Sequence, residues 1–152
     1  MSSKPRSTRR GGSPAGAIAW SGETAAARNE AFNVTNGDVF TWENVWPAIA
    51  DALEMKPGKP QPLSMAQEYP EWIAPWDELR RKHGLVSPGL EEFVGLSFQY
   101  ADYSMRYGQT QVGQPSIVST VKINQAGFTE MMDTEAMFRK WFAHARASRL
   151  LP

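Results

Sequence analysis

The chain of 152 residues contains no cysteine. Disulfides, thiolate catalysis and cysteine-based zinc sites are therefore excluded. Its two histidines, His83 and His144, stand apart and form neither an HExxH nor a paired-histidine spacing, so no histidine metal centre is expected. No GxSxG motif supports a nucleophilic serine, and no Tyr-x-x-x-Lys pair occurs. Gly11 to Gly16 mimics a GxxxxG spacing, but no Lys-Ser/Thr follows it, so it builds no phosphate cradle. A run of about 18 apolar residues, the minimum for a membrane helix, is also missing. Acid is missing from the start: Lys4, Arg6, Arg9 and Arg10 precede the first carboxylate at Glu23. No apolar stretch follows Arg10 to complete a signal peptide, so a cytoplasmic location and no membrane partner are expected.

What is present describes a foldable domain. Sixteen basic and sixteen acidic residues cancel, but setting aside the four early cations leaves a mildly acidic body, which argues against a nucleic-acid surface. Six Trp, seven Phe and four Tyr supply enough burial energy for a core. Eleven Pro and twelve Gly divide the chain into short elements. Residues 1–16 are expected to be a disordered basic arm, and residues 17–152 the folded part.

Phe32-Asn33-Val34 alternates as a half-buried strand does, and Asn36-Gly37-Asp38 is turn chemistry. Thr41 is placed to cap a helix over about 41–55, with Trp42, Val45, Trp46, Ile49 and Leu53 on one face and a disturbance at Pro47. A helical piece over 64–69, with Ser64 and Gln67 as a capping pair, is followed by a second helix from Pro75 to Gly84. Ala17 to Ala31 has helical composition broken at Ser21-Gly22. A long helix is expected from Leu90 to Tyr107, then a polar loop over 108–114, a helix from Pro115 to Gly127, and a last helix capped by Asp133. That last helix would bury Met137, Phe138, Trp141, Phe142 and Ala145. The fold class expected is mainly α with one or two short strands. Glu91-Glu92 and the Asp51, Glu54 pair are read as solvation and helix-dipole matching rather than paired catalytic acids.

Four blocks, in order, resemble one family. Phe32 to Trp42 with Trp46-Pro47 is similar to a turn of the atypical short-chain dehydrogenases related to progesterone 5β-reductase and iridoid synthase. Pro75-Trp76-Asp77-Glu78 with Lys82-His83-Gly84-Leu85, Ser119 to Lys122 with Ala126-Gly127-Phe128, and Asp133 to Pro152 resemble its later helices. The resemblance covers about residues 17–152. It implies the C-terminal, substrate-side portion of an α/β Rossmann-type fold that lacks most of the parallel sheet. It also implies NADPH-dependent reduction of α,β-unsaturated carbonyl compounds by the intact family. The family's glycine motif and catalytic Tyr and Lys lie before the region matched, so no catalytic or cofactor-binding residue is expected here, and this chain alone is expected to bind no cofactor and to be inactive.

By the same resemblance Tyr100-Ala101-Asp102 matches an aromatic that lines the family's substrate pocket, with Phe98 and Tyr103 beside it. A substrate-binding role for Tyr100, Phe98 and Tyr103 is the expectation, with a small apolar carbonyl compound as ligand. The alternative is that Leu96, Tyr100, Tyr103 and Tyr107, one helical stripe, are core. The expectation also includes an apolar face left open by the missing sheet, carried by Trp20, Phe32, Trp42 and Trp46 and available for self-association. The competing functional reading is a stand-alone helical binding module that docks a protein or a small apolar ligand.

Overall fold

The computed structural model describes residues 14–110 and 116–152. Among these every regular element is helical. Helix α1 is Pro14–Glu23, followed by a 3-10 turn at Ala25–Ala27. The others are α2 (Trp42–Ala52), α3 (Met65–His83), α4 (Leu90–Val94), α5 (Ser97–Ser104), α6 (Val121–Gln125) and α7 (Thr134–Ala147). The mainly helical expectation holds. The expected strand does not: Phe32–Val34 has no regular structure. A strand exists only with a neighbour to pair with, and among the described residues the backbone bond to this region from elsewhere in the chain runs from Met132 N–H to the Asn36 carbonyl, 2.8 Å. Most of the expected basic arm and the loop residues 111–115 lie outside the described residues. Helix α1 opens inside the supposed arm, at Pro14, and runs through Ser21-Gly22 without a break.

The chain divides into two units. The first holds the described residues up to Ile49 and Ser116–Phe138. Its core is Ala17, Ile123 and Phe128, with Trp20 and Phe32 packed against them. The Trp20 ring lies 5.7 Å from Phe32 and 5.6 Å from Phe128. Lys122 closes over this cluster: its Nζ is 5.2 Å from the Phe32 ring centre, 2.7 Å from Glu30 and 3.1 Å from the Ala31 carbonyl. Trp20 and Phe32 therefore do not belong to an open face, whereas Trp42 and Trp46 are about half exposed. Thr41 caps α2 as its sequence implies, with its Oγ accepting from Asn44 N–H at 3.3 Å. Val45, Ala48 and Ile49 form the buried side of that helix, which continues through Pro47.

The second unit holds the described residues of 50–115 and Arg139–Pro152. Here one helix is longer than its prolines imply, and another expected helix is two. Helix α3 passes through Pro70 and Pro75 as one element of 19 residues. Each proline removes one backbone bond, but the aromatic side chains hold the helix from outside. Trp76 stacks on Phe93 at 5.1 Å, and Trp72 and Tyr69 meet Phe98 at 5.6 and 6.0 Å. Trp76 Nε1 also donates to the Pro88 carbonyl at 3.1 Å, and Arg80 Nε to that of Ser87 at 2.8 Å. Conversely the helix expected over 90–107 is two. Gly95, at φ +51°, ends α4 in a backbone region that a side chain would oppose. On α7, Met137, Phe138, Phe142 and Ala145 are half-buried, but Trp141 faces out, edge-on to His144. Asp51 and Glu54 are ion-paired with Arg139 and Arg146 of α7, consistent with a structural rather than catalytic use of those acids.

Candidate functional site

Helix α5 carries the residues on which a site can be built. Its position is set by Asp102. The Asp102 carboxylate accepts from Ser64 Oγ (2.7 Å), Met65 N–H (2.8 Å) and Ala66 N–H (3.1 Å), so it sits on the N-terminus of α3. Ser64 in turn caps the same helix, its Oγ accepting from Gln67 N–H at 3.2 Å. An anion at a helix start satisfies otherwise unpaired N–H groups and opposes the positive end of the dipole. The Ser64 hydroxyl above all, with the two backbone N–H groups, holds the Asp102 carboxyl below its ordinary value, against a smaller upward push from burial. This role of Asp102 was missed in the sequence because its partners lie nearly forty residues away.

With α5 pinned through Asp102 and Phe98, its other side is bare. Tyr100 is 67% exposed, Tyr103 84% and Leu96 65%. The alternative that this stripe is core is therefore overturned: on α5 it is Phe98, half-buried against Tyr69 and Trp72, that supplies the inward-packing aromatic ring. Leu96, Gln99, Tyr100 and Tyr103 line a groove of about 310 Å³. A second hollow of about 530 Å³ is lined by Asp102, Tyr103, Ser104, Arg106, Tyr107 and Gln109. Tyr103 belongs to both walls. The structure thus brings Tyr100 and Tyr103 together on one surface and places Phe98 beneath them as a support.

The remaining sequence candidates are not assembled into chemistry. His83 and His144 are both exposed, at the ends of α3 and α7. No group of three potential metal ligands occurs among the described residues. No helix among them is long and apolar enough to cross a membrane.

A dinucleotide's pyrophosphate needs a free, glycine-rich helix N-terminus. The three longest described helices do not provide one. The start of α3 is filled by Asp102. The start of α7 is filled by Asp133, which accepts from Ala136 N–H, and by Asp38, which accepts from Thr134 N–H. The start of α2 is capped by Thr41 and has no glycine-rich turn before it. These three helix starts do not fit a dinucleotide's pyrophosphate.

No family model matches the chain. Among curated proteins, the (S)-8-oxocitronellyl enol synthase CYC1 of Camptotheca acuminata is 31% identical over 138 residues, which is 88% of this chain. The corresponding enol synthase of Antirrhinum majus is 28% identical over a similar span. The short chain dehydrogenase gsfE of Penicillium aethiopicum is 32% identical over 82% of the chain. The chain is a distant relative of the iridoid-synthase type of short-chain dehydrogenase. It spans about a third of the length of these relatives, 33% of the first two and 35% of the third. The ordered motifs read from the sequence resemble the family to which these relatives belong.

Proposed function

We propose that this chain forms the substrate-side portion of an NAD(P)H-dependent reductase of α,β-unsaturated carbonyl compounds. The observation that carries the proposal is the 31% identity to an oxocitronellyl enol synthase across 88% of the chain. The geometry supports it in one respect. Tyr100 and Tyr103 present flat apolar surfaces beside Leu96, the kind of wall that receives a small unsaturated carbonyl compound. In this reading Tyr100 and Tyr103 contact the substrate, and Phe98 is a positioning residue that holds α5 against α3. Residues 17–152 make up this substrate-side region. In this reading the chain alone does not hold NADPH, the cofactor that the family resemblance implies.

The test is a pair of titrations of the full chain, followed by tryptophan and tyrosine fluorescence. Benzalacetone, a small apolar enone, is expected to bind saturably in the millimolar range. Tyr100→Ala is expected to weaken it about tenfold, the scale of one lost aromatic contact. NADPH is expected not to saturate. Benzalacetone binding that is absent, or indifferent to Tyr100→Ala, would sink the assignment of this surface and favour a module that docks a protein.

A further inference from the structure

The two hollows on α5 differ in chemistry. The groove of Leu96, Tyr100 and Tyr103 offers mainly carbon. The hollow on the other side of Tyr103 carries Arg106, with Tyr107, Ser104 and Gln109 around it. The Arg106 guanidinium makes no ion pair and no side-chain hydrogen bond among the described residues, nor do the hydroxyls of Tyr100, Tyr103 and Tyr107. The one acid in the same wall, Asp102, is committed to the start of α3.

Arg106 is also held where arginine is not the favoured residue. It follows the end of α5 at φ +56°, the left-handed position that glycine fills after α3 at Gly84, φ +60°. A residue with a Cβ is disfavoured there. Glu54 tolerates the same conformation, φ +57°, at the end of α2, and its charge is answered by Arg146 at 2.6 Å. Arg106 has no such answer within the described residues, and it lines a hollow that can admit one.

We propose that these adjoining hollows take an amphipathic, carboxylate-bearing unsaturated compound, with its carboxylate on Arg106 and its flat apolar body along Tyr103, Tyr100 and Leu96. The planar guanidinium fork suits a carboxylate in two-point contact. The tyrosine faces suit a conjugated body. The inference rests on the reading of α5 as the substrate surface and sharpens it, because an apolar carbonyl compound alone would leave Arg106 unused.

Trans-cinnamate and its neutral methyl ester separate the two ideas, titrated against the full chain by isothermal calorimetry at low salt. Cinnamate is expected to bind about tenfold more tightly than the ester, the scale of one charge-assisted contact. That preference should shrink as salt rises, since Arg106 is exposed. Arg106→Gln should abolish the preference and leave ester binding unchanged, while Arg106→Lys should keep part of it. Arg106→Gly is a control for folding, because glycine relieves the left-handed backbone: it should lose the preference with no loss of thermal stability. Equal binding of acid and ester, with both weakened by Tyr100→Ala, would overturn the carboxylate site and leave the substrate surface standing. A preference for cinnamate that survives in Arg106→Gln and Arg106→Gly would overturn it too, as would binding of neither compound.

Discussion

The starts of α7 and α3, one in each unit, are closed by the same device and built from different materials. In both, a carboxylate from a distant part of the chain accepts backbone N–H from the first helical turn, one group at α7 and two at α3. At α7 it is Asp38, 96 residues away from Thr134, which it meets at 3.0 Å. At α3 it is Asp102, 36 to 38 residues from its three donors. Asp102 projects from the middle of a helix, so its backbone is already fixed. Asp38 comes from a turn that must be held in shape by its own bonds: Gly37 N–H to Thr35 Oγ at 3.1 Å and Asp38 N–H to Asn36 Oδ1 at 3.2 Å. Asn36 then donates to Thr134 Oγ at 2.9 Å, and its carbonyl accepts from Met132. The α7 clip therefore depends on the shape of a turn, with Gly37 at its centre, and the α3 clip on a carboxylate already fixed in a helix and on the Ser64 hydroxyl it meets.

Gly37→Ala probes that difference most strongly. Gly37 sits at φ +81°, and a Cβ there would lie 2.9 Å from Cγ and 3.3 Å from Cβ of Met131. The left-handed backbone alone costs a residue with a side chain about 1–2 kcal/mol, and Met131 must also move. A loss of about 2 kcal/mol is expected in urea unfolding. A loss below about 0.5 kcal/mol, the range of a neutral surface change, would show that the turn does not hold α7 in the way its bonds imply.

Ser64→Ala is the matching change at α3, and it should cost less. Ser64 is buried, and the substitution removes both the cap on Gln67 N–H and the hydroxyl bond to Asp102. Loss of an N-cap costs about 1 kcal/mol. Asp102 keeps Met65 and Ala66 N–H, so the helix start stays occupied. A cost equal to that of Gly37→Ala would erase the distinction between the two clips.

The two clips also show what was readable in advance. Asn36-Gly37-Asp38 was legible as a turn, Ser64 and Gln67 as a cap, and Asp133 as another, because each is a local relation between neighbours. What the turn is for was not legible, since Thr134 lies 98 residues from Asn36 and no periodicity links them. The strand at Phe32–Val34 failed for a related reason: alternation describes a surface with two faces, but the pairing partner is a tertiary fact. Pro70 and Pro75 read as breaks because their local cost is real, and the rings that hold Tyr69, Trp72 and Trp76 in place, Phe98 and Phe93, lie on other elements. Of the site, Tyr100 and Tyr103 were singled out by resemblance and the structure sets them on one surface, while Arg106 carried no motif and emerged only as a lining residue.

Acid gives the gentlest comparison, because both carboxylates are open to solvent screening. The Asp38 carboxyl is held below its ordinary value chiefly by the Thr134 hydroxyl, then by the Thr134 and Val39 N–H groups, with burial opposing. Asp102 is depressed in the same direction, with the Ser64 hydroxyl first among its causes. In the unfolded chain both titrate at about 3.9. A depressed carboxylate stabilises the fold fully above that unfolded value, and the contribution is lost as pH falls through the lower, folded value. Thermal midpoints should therefore decline from about pH 5 downward, and each of Asp38→Asn and Asp102→Asn should flatten part of the decline. Ser64→Ala, by removing the main cause at Asp102, should flatten it nearly as much as Asp102→Asn. Gly37→Ala should flatten it only to the extent that the turn carrying Asp38 moves away from Thr134. A decline unchanged in both asparagine variants would assign the acid sensitivity to other carboxylates, and the two clips would then differ in their bonds without differing in what they contribute to the charge balance of the fold.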